Sequence, residues 1–190
     1  MLRNSKERFG VLSQVFHWGV FFLFVSLYVL AEMMEEAPKG PEKLALYGLH
    51  KSIGTTVLFL VFLRLSWRLG NPVTEPTGAV SKWIEKGASV SHFLLYAVMF
   101  LMPLSGYVMS VSGGHDVSWF GLFKLPSLMG KNEGLHEFAE GTHGVMAAFI
   151  LVFVSIHFLA ALWHHFIVKD NVLRRMLPVK LKQISLRSSE

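Results

Sequence analysis

The chain has 190 residues, of which 52% are hydrophobic and 16% are charged, and its formal net charge is +5. It contains no cysteine, which excludes disulfides and every metal site that needs a thiolate ligand. A basic balance can indicate a nucleic-acid-binding protein, but here the basic residues flank long apolar segments, and we predict no nucleic-acid partner.

Four apolar segments are long enough to cross a lipid bilayer as helices, which takes about 20 residues each. Three of them carry no formal charge, over residues 9–31, 87–115 and 141–168. The fourth lies between Lys51 and Arg64 and spans the bilayer if these two side chains extend to opposite interfaces. The sequence therefore predicts an all-α membrane protein, a single domain over residues 1–190 that forms a four-helix bundle, with helices at about 13–33, 46–69, 86–111 and 140–166.

Local signals refine this bundle. Asn71 and Pro72 end the second helix, because the residue before a proline disfavours helical backbone. Pro103 and Gly106 are expected to bend the third helix. Residues 113–134 are rich in aromatic side chains and predict either a piece lying on the membrane surface or a loop in the interfacial aromatic belt.

Basic residues are distributed unequally between the two ends of the bundle. If the chain begins in the cytoplasm, the inner segments 1–8, 64–86 and 169–190 hold 13 of the 18 Lys and Arg residues, and the outer segments hold 5. This bias favours both termini in the cytoplasm. It also predicts that the basic tail, residues 169–190, lies against the lipid headgroups.

The spacing of His143 and His157 is the strongest functional signal. Fourteen residues of α-helix rise about 21 Å and complete almost four turns. The two imidazoles are therefore expected on one side of one helix, near opposite faces of the hydrocarbon. Ionisable side chains at such depth are costly and usually belong to a functional site.

Two other histidines match these depths. His17 lies near the inner end of the first helix, level with His157, and His50 lies near the outer end of the second, level with His143. Each pair joins two helices, as a haem iron held by two imidazoles requires. Hydrogen-bonding histidines that merely bridge helices are the alternative. The pattern favours two stacked haems that carry electrons across the bilayer, with small neighbours admitting the macrocycles: Gly54, Gly141, Gly144, Ala160 and Ala161.

His164 and His92 predict a quinone pocket at the inner end of the bundle. His164 lies two turns beyond His157 on the same face, and His92 lies near the inner end of the third helix. An imidazole there can donate a hydrogen bond or a proton to a quinone carbonyl oxygen. The alternative is that both are interfacial histidines in contact with water.

Three basic side chains are candidates for haem propionates. Arg64 and Arg68 lie one turn apart at the inner end of the second helix, and arginine pairs well with carboxylates. Lipid phosphates are their alternative partners. Lys51, which follows His50, is expected to contact an outer propionate, to attract an anion or simply to extend to the interface.

Several of these candidate residues lie within short sequence motifs. Through these motifs the chain resembles the bacterial cytochrome b561 family over residues 8–178. They are Phe16-His17-Trp18, the run from Leu49 to Gly54, Arg64 and Arg68 before Asn71-Pro72, the His143 to His157 spacing, and Trp163-His164-His165-Phe166 followed by Lys169-Asp170-Asn171.

The resemblance implies a multi-pass protein of the bacterial inner membrane with two b haems. It implies His17 and His157 as ligands on the cytoplasmic side, and His50 and His143 on the periplasmic side. One class of the family transfers electrons from periplasmic superoxide to ubiquinone, so an enzyme of this kind would be a superoxide:ubiquinone oxidoreductase. No catalytic residue is assigned, and the net acidic outer segments weigh against a superoxide anion as the donor.

Three functions are therefore compared. The first is a diheme cytochrome that carries electrons between a periplasmic donor and the quinone pool. The second is an electron-transfer anchor for a separate dehydrogenase or periplasmic partner, with no catalysis of its own. The third, a transporter of metal ions or protons, is disfavoured because no Asp or Glu lies within residues 87–115 or 141–168.

Overall fold

Four long helices dominate the part of the chain that the structure, a computed structural model, describes, residues 1–72 and 81–177. Each is long and apolar enough to cross a membrane. This confirms the predicted all-α membrane fold. The helices are α1 (Val11–Glu36), α2 (Pro41–Leu69), α3 (Lys82–Ser112) and α4 (Glu133–Trp163).

The helices are longer than their apolar runs predicted, because polar turns extend them beyond the hydrocarbon. The largest difference is at α4, which begins at Glu133 rather than near residue 140. Asn132 caps it, since its side-chain oxygen accepts a hydrogen bond from the amide of Leu135 at 3.0 Å. α3 continues through Pro103, the position at which we expected a bend.

The helices pack in chain order, α1 against α2, α2 against α3, and α3 along α4. The buried core lies near the middle of the bundle. α1 and α4 are also joined directly, because the Tyr28 hydroxyl donates a hydrogen bond to the Ala147 carbonyl. The core side chains are Val20, Phe24, Leu27, Val57, Val61, Leu95, Val98, Met99, Met102 and Ile150.

Two histidines of α4 lie close to α3 because glycines face them. A Cβ at Gly106 would lie 2.9 Å from Cε1 of His143, and one at Gly113 would lie 2.9 Å from Nδ1 of His136. Both separations are too short for real side chains, so only glycine admits these rings. Nδ1 of His136 donates to the carbonyl of Met109 at 2.8 Å, near the end of α3.

A small hairpin covers α2 at the outer end of the bundle. Its strands, β1 (Ser118–Trp119) and β2 (Phe123–Lys124), pair in antiparallel register. Ser52 on α2, which is 2% exposed, accepts a hydrogen bond from the amide of Phe120 at 3.0 Å. The Trp119 indole donates to Thr56 at 3.0 Å. The aromatic segment is therefore a docked hairpin, which the sequence did not predict because two-residue strands show no alternating pattern.

The chain turns back on itself at the inner end. After α4 it forms a π-helical segment (His164–Val168) and then the short helix α5 (Val172–Met176). Side chains of α1 hold α5 in place, since Gln14 donates to the carbonyl of Arg175 at 3.1 Å and Trp18 to that of Met176 at 2.9 Å. Residues 178–190 of the predicted basic tail lie outside the described residues.

Candidate haem-binding sites

The structure brings the outer pair of predicted ligands together. The ring centroids of His50 on α2 and His143 on α4 are 6.4 Å apart. Two imidazoles on one iron, with metal–nitrogen bonds of about 2 Å and about 1.1 Å from each nitrogen to its ring centre, place their centroids about 6 Å apart. The observed separation fits a shared iron.

His143 is held in the orientation that iron ligation needs. Its Nδ1 lies 2.9 Å from the carbonyl of Met102 and 3.3 Å from the hydroxyl of Ser105. A carbonyl only accepts, so Nδ1 carries the proton and Nε2 keeps its lone pair. Metal-bound histidines are usually fixed in this way. Gly106 allows the contact by letting the ring approach α3.

His50 and its neighbours also fit a haem. Nδ1 of His50 is buried with no hydrogen-bond partner among the described residues, which is costly for an imidazole that nothing else satisfies. A Cβ at Gly54, Gly141 or Gly144 would meet nothing within 4 Å, which leaves room for a flat macrocycle.

Three histidines, not two, meet at the inner end. The centroids of His17 and His157 are 6.1 Å apart, which again suits one iron. His92 on α3 approaches His157 from another side, with centroids 5.7 Å apart. The sequence placed His92 with His164 in a quinone pocket, and the structure packs it against His157.

Arg64 is the polar partner of His17. Its guanidinium lies 2.9 Å from Nδ1 of His17, and it lies over the ring of Tyr96, 5.5 Å from the centroid. Arg68 lies over the same ring at 5.7 Å. A guanidinium only donates, so Nδ1 accepts and the neutral ring carries its proton on Nε2. Ligation of iron by Nε2 therefore requires Arg64 to change partner, and a haem propionate is a suitable one.

His164 has a carboxylate partner that sequence reasoning missed. Its Nδ1 lies 2.6 Å from Oδ2 of Asp170. The available signal was the run from Trp163 to Asn171, which contains both residues. Its spacing of six residues does not predict contact, because in an α-helix it places two side chains about 120° apart around the axis.

Lys51 on α2 contacts the segment that leads into the outer hairpin. Its ammonium lies 3.4 Å from the backbone carbonyl of Asp116. The Asp116 carboxylate forms an exposed ion pair with Lys124 at 2.6 Å. The hydrogen bond from Lys124 lowers the pKa of Asp116, and the same contact raises the pKa of Lys124.

Four membrane-length helices with histidine pairs near both ends of one of them fit a membrane-embedded cytochrome of the b type. Residues 8–179 match the family described as prokaryotic cytochrome b561, and the chain belongs to this family. Membership implies a b-type haem and a role in membrane electron transfer. The described residues fit a haem. The outer histidine pair fits it as it stands, whereas at the inner pair Arg64 must exchange His17 for a new partner.

Several curated proteins are similar over nearly their whole length. Cytochrome b561 homolog 2 of Escherichia coli K12 is 34% identical over 181 residues, which cover 92% of this chain and 93% of that protein. Cytochrome b561 homolog 1 of the same strain is 31% identical, over 90% of this chain and 98% of its own. A probable superoxide oxidase of Yersinia pestis is 28% identical, over 92% and 98%.

Proposed function

We propose that this chain is a two-haem b-type cytochrome of the bacterial inner membrane that carries single electrons between a periplasmic donor and the quinone pool. The observation that carries the proposal is the pair of histidine sites, one near each end of α4, with ring separations of 6.4 Å and 6.1 Å. His50 and His143 hold the outer haem, and His17 and His157 hold the inner one. Bound haem iron supplies a reversible one-electron couple.

The protein's own groups orient and insulate these sites. The carbonyl of Met102 fixes the tautomer of His143, and the apolar core between the two pairs keeps water out of the middle of the bundle. Arg64 and Arg68, which lie over the Tyr96 ring, are the cations that we propose for the inner propionates. In our proposal the imidazole of His164 donates a hydrogen bond to ubiquinone at the inner end. His92 lies in the same region, where it contacts His157.

Superoxide, a small one-electron reductant, is the donor that we propose at the outer face, even though the net acidic outer segments repel an anion at long range. The support is the similarity to the probable superoxide oxidase of Yersinia pestis. Lys51, beside His50 and half-buried, is the cation nearest in sequence to the outer pair. The test is direct: purified protein should reduce ubiquinone when superoxide is generated, and Lys51→Ala should slow the reaction while Lys39→Ala should not.

The second candidate is an electron-transfer anchor for a separate partner. It is favoured by the tip of the hairpin, where Phe120, Leu122 and Phe123 are 48%, 73% and 56% exposed at the predicted outer face. A periplasmic partner protein would cover this apolar tip. Copurification distinguishes the two functions, since an anchor is recovered with a stoichiometric partner and fails to reduce quinone alone.

Haem quantitation tests the ligand assignment. The wild type should hold two haems per chain. His17→Ala and His157→Ala should lose the inner haem, and His50→Ala and His143→Ala the outer one. His92→Ala is the matched control, because it removes an imidazole from the same inner cluster and should retain both haems. Retention of both haems in any of the four ligand variants would contradict its assignment.

A further inference from the structure

A histidine–carboxylate pair lies beyond the inner end of α4, apart from the histidine cluster of the inner site. The side chains of His164 and Asp170 are 15% and 9% exposed. Among the acidic residues in 1–72 and 81–177, Asp170 is the only one that is not exposed. Removing a carboxylate from water is costly unless a partner compensates. His164 is that partner, at 2.6 Å.

An unusual backbone brings the two residues together. The segment His164–Val168 is π-helical, and Lys169 follows in the left-handed conformation, with φ 58° and ψ 35°. These two features reverse the chain, and the amide of Asp170 donates back to the carbonyl of His164 at 3.2 Å. Isolated π-helical turns occur frequently at functional sites.

The pair is also held from the other side. Oδ1 of Asp170 accepts a hydrogen bond from the amide of Val172 at 2.9 Å, at the start of α5. α5 is fixed to α1 by Gln14 and Trp18. The two carboxylate oxygens of Asp170 therefore have separate tasks, one holding α5 and the other holding the imidazole.

We propose that Asp170 is a positioning residue for proton delivery: its carboxylate holds Nδ1–H of His164, so that Nε2 donates a proton to the carbonyl oxygen of a quinone bound at the inner end. This inference rests on the proposed function and deepens it. A carboxylate acceptor fixes the tautomer of the neutral ring and stabilises the imidazolium that forms when Nε2 takes up a proton.

The reaction balances without a further reactant. Two electrons, taken singly from a one-electron donor, and two protons convert the quinone to a quinol. The donor is oxidised and the quinone is reduced. Each proton that Nε2 gives to a quinone oxygen is replaced from water on the cytoplasmic side.

The surrounding charges give the direction of the pH effect. At the inner end, the charged and titratable groups on the elements packed against the pair are His157 on α4, Arg174 and Arg175 on α5, and His165 and Lys169 beside it. Asp170 is the only acidic group among them. Neutralising it leaves the His164 ring without its carboxylate partner and with only basic groups around it, so quinone-dependent re-oxidation should decline at lower pH than in the wild type.

Asp170→Asn tests the proposal, because an amide oxygen can still accept from Val172 and preserve α5. Purified haem-loaded protein is chemically reduced and mixed with a short-chain ubiquinone, and the rate of haem re-oxidation is followed from pH 5 to 9. We expect about tenfold slower re-oxidation at neutral pH, with the decline in rate beginning about one pH unit lower than in the wild type. Asp170→Glu should restore part of the rate.

Three controls separate the outcomes. Asp116→Asn removes an exposed carboxylate at the outer face and should leave the profile unchanged. His164→Gln should be slow at every pH, and adding Asp170→Asn to it should cause little further loss, because the two residues act together. Haem content and the rate of haem reduction should be unchanged in all variants.

The proposal is overturned if Asp170→Asn re-oxidises with the wild-type rate and pH profile, or if it loses haem, which would make Asp170 structural. If quinone does not re-oxidise even the wild-type haem, the proposed function fails as well, and that result is visible before any variant is made.

Discussion

If the proposed two-haem assignment holds, Gly106→Ala should remove the outer haem while leaving the fold intact. A Cβ at this position would lie 2.9 Å from Cε1 and 3.1 Å from Nδ1 of His143. Ordinary carbon contacts are about 3.5–4.0 Å, so the ring must retreat from α3 by roughly 0.6–1 Å. The bond from Nδ1 to the Met102 carbonyl, now 2.9 Å, would then exceed about 3.5 Å and be lost.

The expected loss of haem affinity follows from the role of that hydrogen bond, which orients His143. Loss of a partner that orients a metal-binding histidine typically lowers affinity about 10- to 100-fold, or about 1.4–2.7 kcal/mol. The helix itself should gain up to about 1 kcal/mol from replacing glycine by alanine. We therefore expect haem content to fall from about two to about one per chain, with little change in the unfolding temperature of the haem-free protein.

Two matched glycine variants make this prediction specific. Gly113→Ala produces the same clash with His136, at 2.9 Å, and should destabilise the α3–α4 contact without loss of haem. Gly87→Ala meets nothing within 4 Å and should be neutral or slightly stabilising. The assays are haem quantitation and a redox titration. Retention of two haems with unchanged midpoint potentials in Gly106→Ala would refute the reasoning.

Three further predictions concern the hairpin and the inner turn. Ser52→Ala should cost about 1–3 kcal/mol of hairpin docking and speed proteolysis within residues 117–125, whereas Thr55→Ala, which loses only a bond within α2, should not. The lowered pKa of Asp116 and the raised pKa of Lys124 keep both groups charged, so the stability from this pair should be constant from pH 5 to 8 and be lost as pH falls through the lowered Asp116 pKa. A difference in unfolding midpoint between the wild type and Lys124→Ala that varies with pH between 5 and 8 would contradict this. Lys169→Gly should preserve quinone-dependent re-oxidation of haem, while Lys169→Val, strained by about 1–2 kcal/mol in the left-handed region, should slow it as Asp170→Asn does.

The number of helices and the depth of each histidine could be predicted from the sequence. Helix rise per residue is constant, so depth in a membrane helix follows from residue number alone. This is why His17 and His157, and His50 and His143, could be matched before their rings were seen 6.1 Å and 6.4 Å apart. Helix ends were less predictable, since polar turns outside the hydrocarbon carry no hydropathy signal.

The direction in which each side chain points around its helix axis, and the reversal of the chain after α4, were decided only by the tertiary structure. That His92 faces His157, that Arg64 reaches His17, and that a docked hairpin rests on Ser52 all depend on how the helices rotate as they pack. The contact of Asp170 with His164 depends on one π-helical segment and one left-handed residue. Apolar runs encode burial in lipid residue by residue, whereas these contacts arise between segments far apart in the chain or through a local departure from regular helix, and hydrophobic pattern specifies neither.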